Sequence, residues 1–203
     1  MNHNQRAALA NPNLEFGAST FLGIPVGPKQ ALLVYKGYDP GDGFLFKELY
    51  EQPDGSDLMF TGIGNNRLIE VVLPANMGTL KQKNAALESC GNLIAVHRLN
   101  DMEEIPYAFL SECISFDPKI ITVKRLGERA FYGCTGITKL ELPYVEVVGK
   151  WAFWDATNAT IVLNDNVQTV NEEAFLNIDN LIYHGSLPGA PWGAKKWNGV
   201  PQN

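Results

Sequence analysis

An Ala-Phe pair recurs at Ala108-Phe109, Ala130-Phe131, Ala152-Phe153 and Ala174-Phe175, each 22 residues from the last. One step earlier stands Ala86-Leu87, a conservative variant of the same pair. Self-similarity at a fixed period of roughly 20–50 residues is the mark of a solenoid or array, so this spacing constrains the fold more than any other feature of the chain. Other positions keep the period. Val123, Val145 and Val167 lie seven residues before the alanine, and Leu126, Val148 and Val170 lie four before it. Gly127 and Gly149 follow, with Asn171 in the next unit. Glycine and asparagine take a left-handed backbone most easily, which predicts a shared turn at that position.

Between the pairs lie short segments whose apolar residues stand two apart, the pattern of a half-buried strand. They are Val71-Val72-Leu73-Pro74, Ile114-Ser115-Phe116, Leu140-Glu141-Leu142-Pro143, Ile161-Val162-Leu163 and Leu181-Ile182-Tyr183. One unit is then a strand, a turn and a compact segment that carries Val, Leu or Val, and Ala-Phe inward. A unit this short cannot bury its apolar face alone, so units must stack, strand beside strand and phenylalanine upon phenylalanine. At about 4.8 Å per strand, five or six coils make a body about 25 Å long. Each buried phenylalanine ring contributes a few kcal/mol.

The segments ITKLELPYVEVVGKWAFWDA and ITVKRLGERAFYGCTGITKLEL resemble the BspA-type leucine-rich repeat. That family's pattern is an alternating strand, often ending in proline, then a Val, Ile-Gly, Ala-Phe and Cys run. The resemblance covers about residues 68–185 and implies an α/β repeat, a short leucine-rich-repeat solenoid with a parallel β-sheet. Three departures stand out. Arg98 occupies an inward apolar position, Pro118 to Val123 carries extra residues, and Ala156 replaces the cysteine in the 152–174 unit.

The repeat also accounts for the cysteines. Cys90 and Cys134 lie four residues after their alanines and Cys113 five after, one repeat position seen three times. An odd count argues against a fully paired framework. The expectation is a column of buried thiols acting as small hydrophobes, although a disulfide between neighbouring coils is geometrically conceivable. No histidine keeps a fixed relation to any of them, which disfavours a catalytic thiol.

Three parts follow. Residues 1–66 form a non-repeating, β-rich cap or docking segment, residues 67–185 the solenoid, and residues 186–203 a C-terminal cap. In the first part ALLVY and FLFKELY read as strands, YDPGDG and QPDGSD as turns. A solenoid needs such caps to keep its terminal apolar faces from water. In the last part Pro188, Pro191 and three glycines exclude a long helix, and Trp192 and Trp197 are large apolar plugs.

Hydrophobic residues make up 45% and charged residues 19% of the 203, the mix of a folded domain. The net charge of −6, with no cluster of lysine or arginine, disfavours nucleic-acid binding. No apolar run is long enough to cross a bilayer, and the N-terminus lacks the pattern of a signal peptide. Asp39, Asp42, Asp54 and Asp57 sit in glycine-containing turns that supply too few oxygens for a calcium loop. His3, His97 and His184 are isolated and match no zinc spacing. No nucleophile elbow, P-loop or dinucleotide fingerprint is present, and GIGNN at 62–66 reads as a turn. Glu103-Glu104 and Glu172-Glu173 are adjacent pairs, and adjacent side chains do not face one another across a substrate. The sequon Asn158-Ala159-Thr160 matters only in a eukaryotic secretory setting.

These readings favour a non-catalytic module without metal or cofactor. Counting from the inward residues, the outer strand face comprises His97, Ser115, Asp117, Lys139, Glu141, Thr160, Val162, Asn164, Ile182 and His184. Its mixed, mildly charged character suits protein partners, including neighbouring subunits of an assembly, and neither nucleic acid nor insertion into a membrane. The family resemblance implies protein contact or adhesion at a bacterial cell surface. The alternative it implies is a structural or attachment component of a bacteriophage virion, a head or tail fibre.

Overall fold

The computed structural model describes residues 20–21, 24–25, 30–36, 44–50, 66, 68–73, 77 and 83–202. It is a β-solenoid of about five coils in which each coil contributes to three walls. The strand wall holds β5 (Leu68–Val72), β6 (Ala95–His97), β9 (Lys139–Leu142), β11 (Thr160–Leu163), β13 (Asn180–Ile182) and β14 (Lys196–Trp197). From β9 to β14 neighbouring strands run parallel, with Leu140, Ile161 and Leu181 in one row. Burial alternates as the sequence alternates: Leu140 and Leu142 point in, Lys139 and Glu141 out. The second wall is a ladder of two-residue parallel strands, β7 (Glu104–Ile105), β8 (Arg125–Leu126), β10 (Val147–Val148) and β12 (Thr169–Val170). It turns Ile105, Leu126 and Val148 into the core.

The third wall carries the Ala-Phe pairs. Alternate N–H groups there donate to the next coil: Phe131 to the Ala152 carbonyl at 2.7 Å, Phe153 to Ala174 at 2.8 Å, Phe175 to Trp192 at 3.2 Å. The intervening ones donate three residues back, as Tyr132 does to Arg129 and Cys134 to Phe131. Two residues per coil, four apart, hold a left-handed backbone: Arg129 and Gly133, Trp151 and Asp155, Glu173 and Asn177. An α-helix tolerates neither those dihedrals nor the loss of N–H groups to a neighbour. The α component of the expected α/β repeat is therefore replaced by turns. No α-helix occurs among the described residues, where a 3-10 turn spans Leu99–Asp101.

Two details differ from the sequence expectation. First, the Ala-Phe mark slips by one residue in one coil. Leu87 donates to the Phe109 carbonyl and Leu110 to the Ala130 carbonyl, so Phe109 occupies the alanine position and Leu110 the phenylalanine position. The left-handed residues agree, since Ala85, Ala108 and Arg129 are separated by 23 and then 21 residues. In that register Cys113 lies four after its mark, like Cys90 and Cys134. Second, Gly127 and Gly149 are not in the left-handed region. They are small because coils approach closely there: a Cβ at Gly127 would lie 2.8 Å from the Tyr107 nitrogen, and one at Gly149 2.6 Å from the Glu128 nitrogen.

The core is a column of aromatic rings. Phe131 and Phe153 stack at 5.1 Å, Phe153 and Phe175 at 5.5 Å, both nearly parallel. Phe116 closes the column at one end, 6.5 Å from Phe131, and Trp192 at the other, 6.2 Å from Phe175. Leu93, Phe116, Ile137 and Ala159, each donating its N–H to the residue three back, form one inward column in the slipped register, and the large Phe116 accompanies the smaller Leu110.

The expected strand Ile114–Phe116 is absent. Pro118 has no N–H to give a ladder, and the Asp117 carboxylate, not a backbone carbonyl, takes the Thr138 N–H at 2.9 Å. One parallel bridge, Ile120 to Glu141, joins this stretch to β9. No backbone bond among the described residues joins it to β6. A groove of about 380 Å³ between Val96, Phe116 and Ile120 follows from that break.

At the first end β3 (Gln30–Lys36) pairs antiparallel with β4 (Phe44–Tyr50) and with β5, so a hairpin lies along the first solenoid strand. Two short strands, β1 (Thr20–Phe21) and β2 (Ile24–Pro25), also pair antiparallel. The turns expected at 38–43 and 52–57, with Asp39, Asp42, Asp54 and Asp57, lie outside the described residues, as do His3, residues 62–65 and Pro74. At the last end β14 pairs antiparallel with β15 (Val200–Pro201), and Trp192 is buried against Phe175 and Tyr183.

Candidate interaction face

The strand wall gathers some of the ten outward positions and separates others. Lys139 stands beside Thr160, and Thr160 beside Asn180; Glu141 stands beside Val162, and Val162 beside Ile182. Strand register thus brings Lys139, Glu141, Thr160, Val162 and Ile182 onto one surface. Lys139 and Glu141 form an exposed ion pair at 2.9 Å, so the charges of this surface answer one another. Such a pair adds little stability in water.

The remaining five lie apart. His97 is on β6, beyond the break, with its Nε2 at 3.1 Å from Glu70 Oε2. Ser115 and Asp117 are inside the break and serve the backbone: the Ser115 hydroxyl donates to the Gly91 carbonyl at 2.6 Å. Asn164 sits at the corner after β11, where its amide donates to the carbonyls of Leu142 and Val145. His184 follows β13 and is exposed, its N–H donating to Asp165 Oδ1 at 3.0 Å.

Partial burial pushes the Asp117 carboxyl up, but Lys119 and both the N–H and hydroxyl of Thr138 outweigh it and hold the group below the usual carboxylate range. The three cysteines form no disulfide and are fully buried. The Cys113 and Cys134 thiols donate to the carbonyls of Leu87 and Leu110, one coil earlier. A hydrogen bond with Cys90 and burial push the Cys113 thiol far up, and burial pushes Cys134 up to about 12. Neither Cys113 nor Cys134 is a thiolate at neutral pH, so neither is poised as a nucleophile.

Sequence reasoning missed two members of the strand face. Ile120 is exposed beside Glu141, and Asn180 lies beside Thr160. Extending the alternation one residue before Leu181 finds Asn180. Ile120 had no signal, because Pro118 breaks the alternating pattern before it. The turn wall also carries an unforeseen cluster in which Trp151 lies against Trp154, Arg129 lies over Trp151 at 4.8 Å, and Trp151 Nε1 donates to Glu173. Its members already occupy one another.

Among the described residues no group of three or more His, Cys, Asp or Glu side chains could hold a metal ion. No helix among them is long and apolar enough to cross a membrane. What the strand wall offers is a surface of mixed side chains set one per coil, suited to non-covalent contact.

Three stacked walls on a repeating core define a solenoid repeat protein. Residues 107–185 match the BspA type leucine rich repeat region in six copies. No curated protein and no solved structure matches the chain. That repeat family suggests a protein-interaction or structural module and is typically non-catalytic.

Proposed function

We propose that the chain is a non-catalytic, adhesion-like interaction module that holds a protein partner against its strand wall. In this reading residues 67–185 are the recognition body, residues 186–203 its closing cap and residues 1–66 a cap or docking segment. The observation that supports it is the row Ile120, Glu141, Val162 and Ile182, which strand register aligns across four coils. Val162 and Ile182 are only half-buried although they belong to a regular sheet. Apolar side chains ranked along a rigid sheet and bordered by the Lys139–Glu141 pair give a partner buried contact at low ordering cost. His97, Ser115, Asp117, Asn164 and His184 flank that row and act as its rim.

The test is capture with the intact protein, followed by mass spectrometry, beside the double variant Val162→Asp, Ile182→Asp. The expected result is a protein partner retained by the parent and lost with the variant at unchanged circular dichroism. Recovery of capsid or tail proteins would assign the molecule to a bacteriophage head or tail fibre. A partner held equally by the variant would remove the strand wall from the account.

A further inference from the structure

A second groove, away from the row of apolar strand residues, has the composition of a ligand site. It crosses three coils at the corner between the strand wall and the second wall and encloses about 500 Å³. That is the size range of small-ligand sites, roughly 300–1,000 Å³. Its frame is fixed: Glu146 N–H donates to the Lys124 carbonyl at 2.7 Å and Gln168 N–H to the Glu146 carbonyl at 2.8 Å. Fully buried Val145 forms the floor.

Tyr144 stands over this groove and is 64% exposed, more than any other large apolar side chain among the described residues. Its ring packs on no other ring, and its hydroxyl has no partner among the described residues. Three neutral polar residues, Thr122, Asn166 and Gln168, line the same groove. None of the three makes a side-chain hydrogen bond among the described residues. The contrast with Asn164 beside them is informative, because its amide is spent on two carbonyls of the fold. Lys124 and Glu146, 3.8 Å apart, contribute one charge of each sign.

We infer that this groove binds a neutral saccharide unit, with Tyr144 as the stacking platform and Thr122, Asn166 and Gln168 as hydroxyl partners. A pyranose has one face of C–H groups that fits an exposed aromatic ring. Its edge presents hydroxyls that both donate and accept, as amide and hydroxyl side chains do. The balanced charge selects against ionic ligands, since an anion meets Glu146 and a cation meets Lys124. Side-chain amides without intramolecular partners hold the fold by no hydrogen bond of their own, and water is what a ligand hydroxyl would displace from them.

Saturation-transfer NMR with the full chain tests this, using maltotriose, mannobiose and N-acetyllactosamine as neutral probes and sialyllactose as the charged one. At least one neutral probe should bind, with protein signal transferred to its C–H protons. Tyr144→Ala should weaken it about tenfold or more, about 1.4 kcal/mol, while Tyr144→Phe retains it. Gln168→Ala should weaken it as well, and Thr160→Ala on the strand wall should not. Tyr144 and Gln168 are exposed, so loss of fold is excluded by an unchanged melting profile. Absence of transfer to every neutral probe at roughly 10 mM, preference for sialyllactose, or binding that survives Tyr144→Ala would each overturn the assignment.

Discussion

Gly133 holds φ at +66°, and a Cβ there would sit 3.4 Å from the Glu112 side chain. Gly133→Ala should therefore cost about 1–2 kcal/mol, the penalty of a left-handed L-residue, measured by urea melts. The equivalent residues Glu112, Asp155 and Asn177 already accept that penalty at φ of 58°, 58° and 66°. They offset it by donating their N–H groups to the next coil. The thiols make a second residue-scale prediction. Cys90, Cys113 and Cys134 should resist a thiol-titrating disulfide reagent in the folded protein at pH 8, and all three should react in denaturant. Fast reaction of any one in native buffer would contradict the buried column. The cysteine column was readable from the sequence because a small apolar residue recurred near one position. The hydrogen bonds to Leu87 and Leu110 were not, since they depend on which carbonyl the preceding coil presents.

At the scale of elements, the break in the strand wall turns on two adjacent residues. Pro118 removes a ladder donor, and Asp117 substitutes its side chain for a ladder acceptor. Asp117→Ala should cost about 1–2 kcal/mol by leaving the Thr138 N–H without its charged acceptor. Asp117→Asn, which keeps the acceptor, should cost less. Because the folded-state carboxyl titrates below its unfolded value, its contribution is complete above the unfolded pKa of about 3.9. It is lost as pH falls through the lower folded value. Melts of the parent and Asp117→Asn should thus converge on acidification below pH 4. The extra residues at 118–123 were visible in the sequence as a disturbance of spacing. Their consequence was not, because alternation alone assigns Ile114–Phe116 to a strand, while the structure uses Phe116 to close the aromatic column. The strands β9, β11 and β13 were legible for the opposite reason, since each keeps strict inward and outward alternation.

For the whole molecule, stability is additive along one axis, because each coil touches only its neighbours. The 22-residue period revealed that axis and most of the inward residues. It placed Phe109 one residue out of its true role, since identical letters fixed the alignment where hydrogen-bond register differs by one. Leu110→Phe, which restores the repeat pattern by spelling, should destabilise by about 1–3 kcal/mol through overpacking, given that Phe116 already closes the column on Phe131. The outward face was legible only where strands are regular, and Lys139, Glu141, Thr160, Val162 and Ile182 are its coherent part. The most direct test of the stacked column is an equilibrium denaturant melt of Phe153→Ala, whose ring lies between Phe131 and Phe175. A loss of about 3–5 kcal/mol is predicted; a loss below about 1 kcal/mol, the scale of an ordinary surface change, would contradict the column.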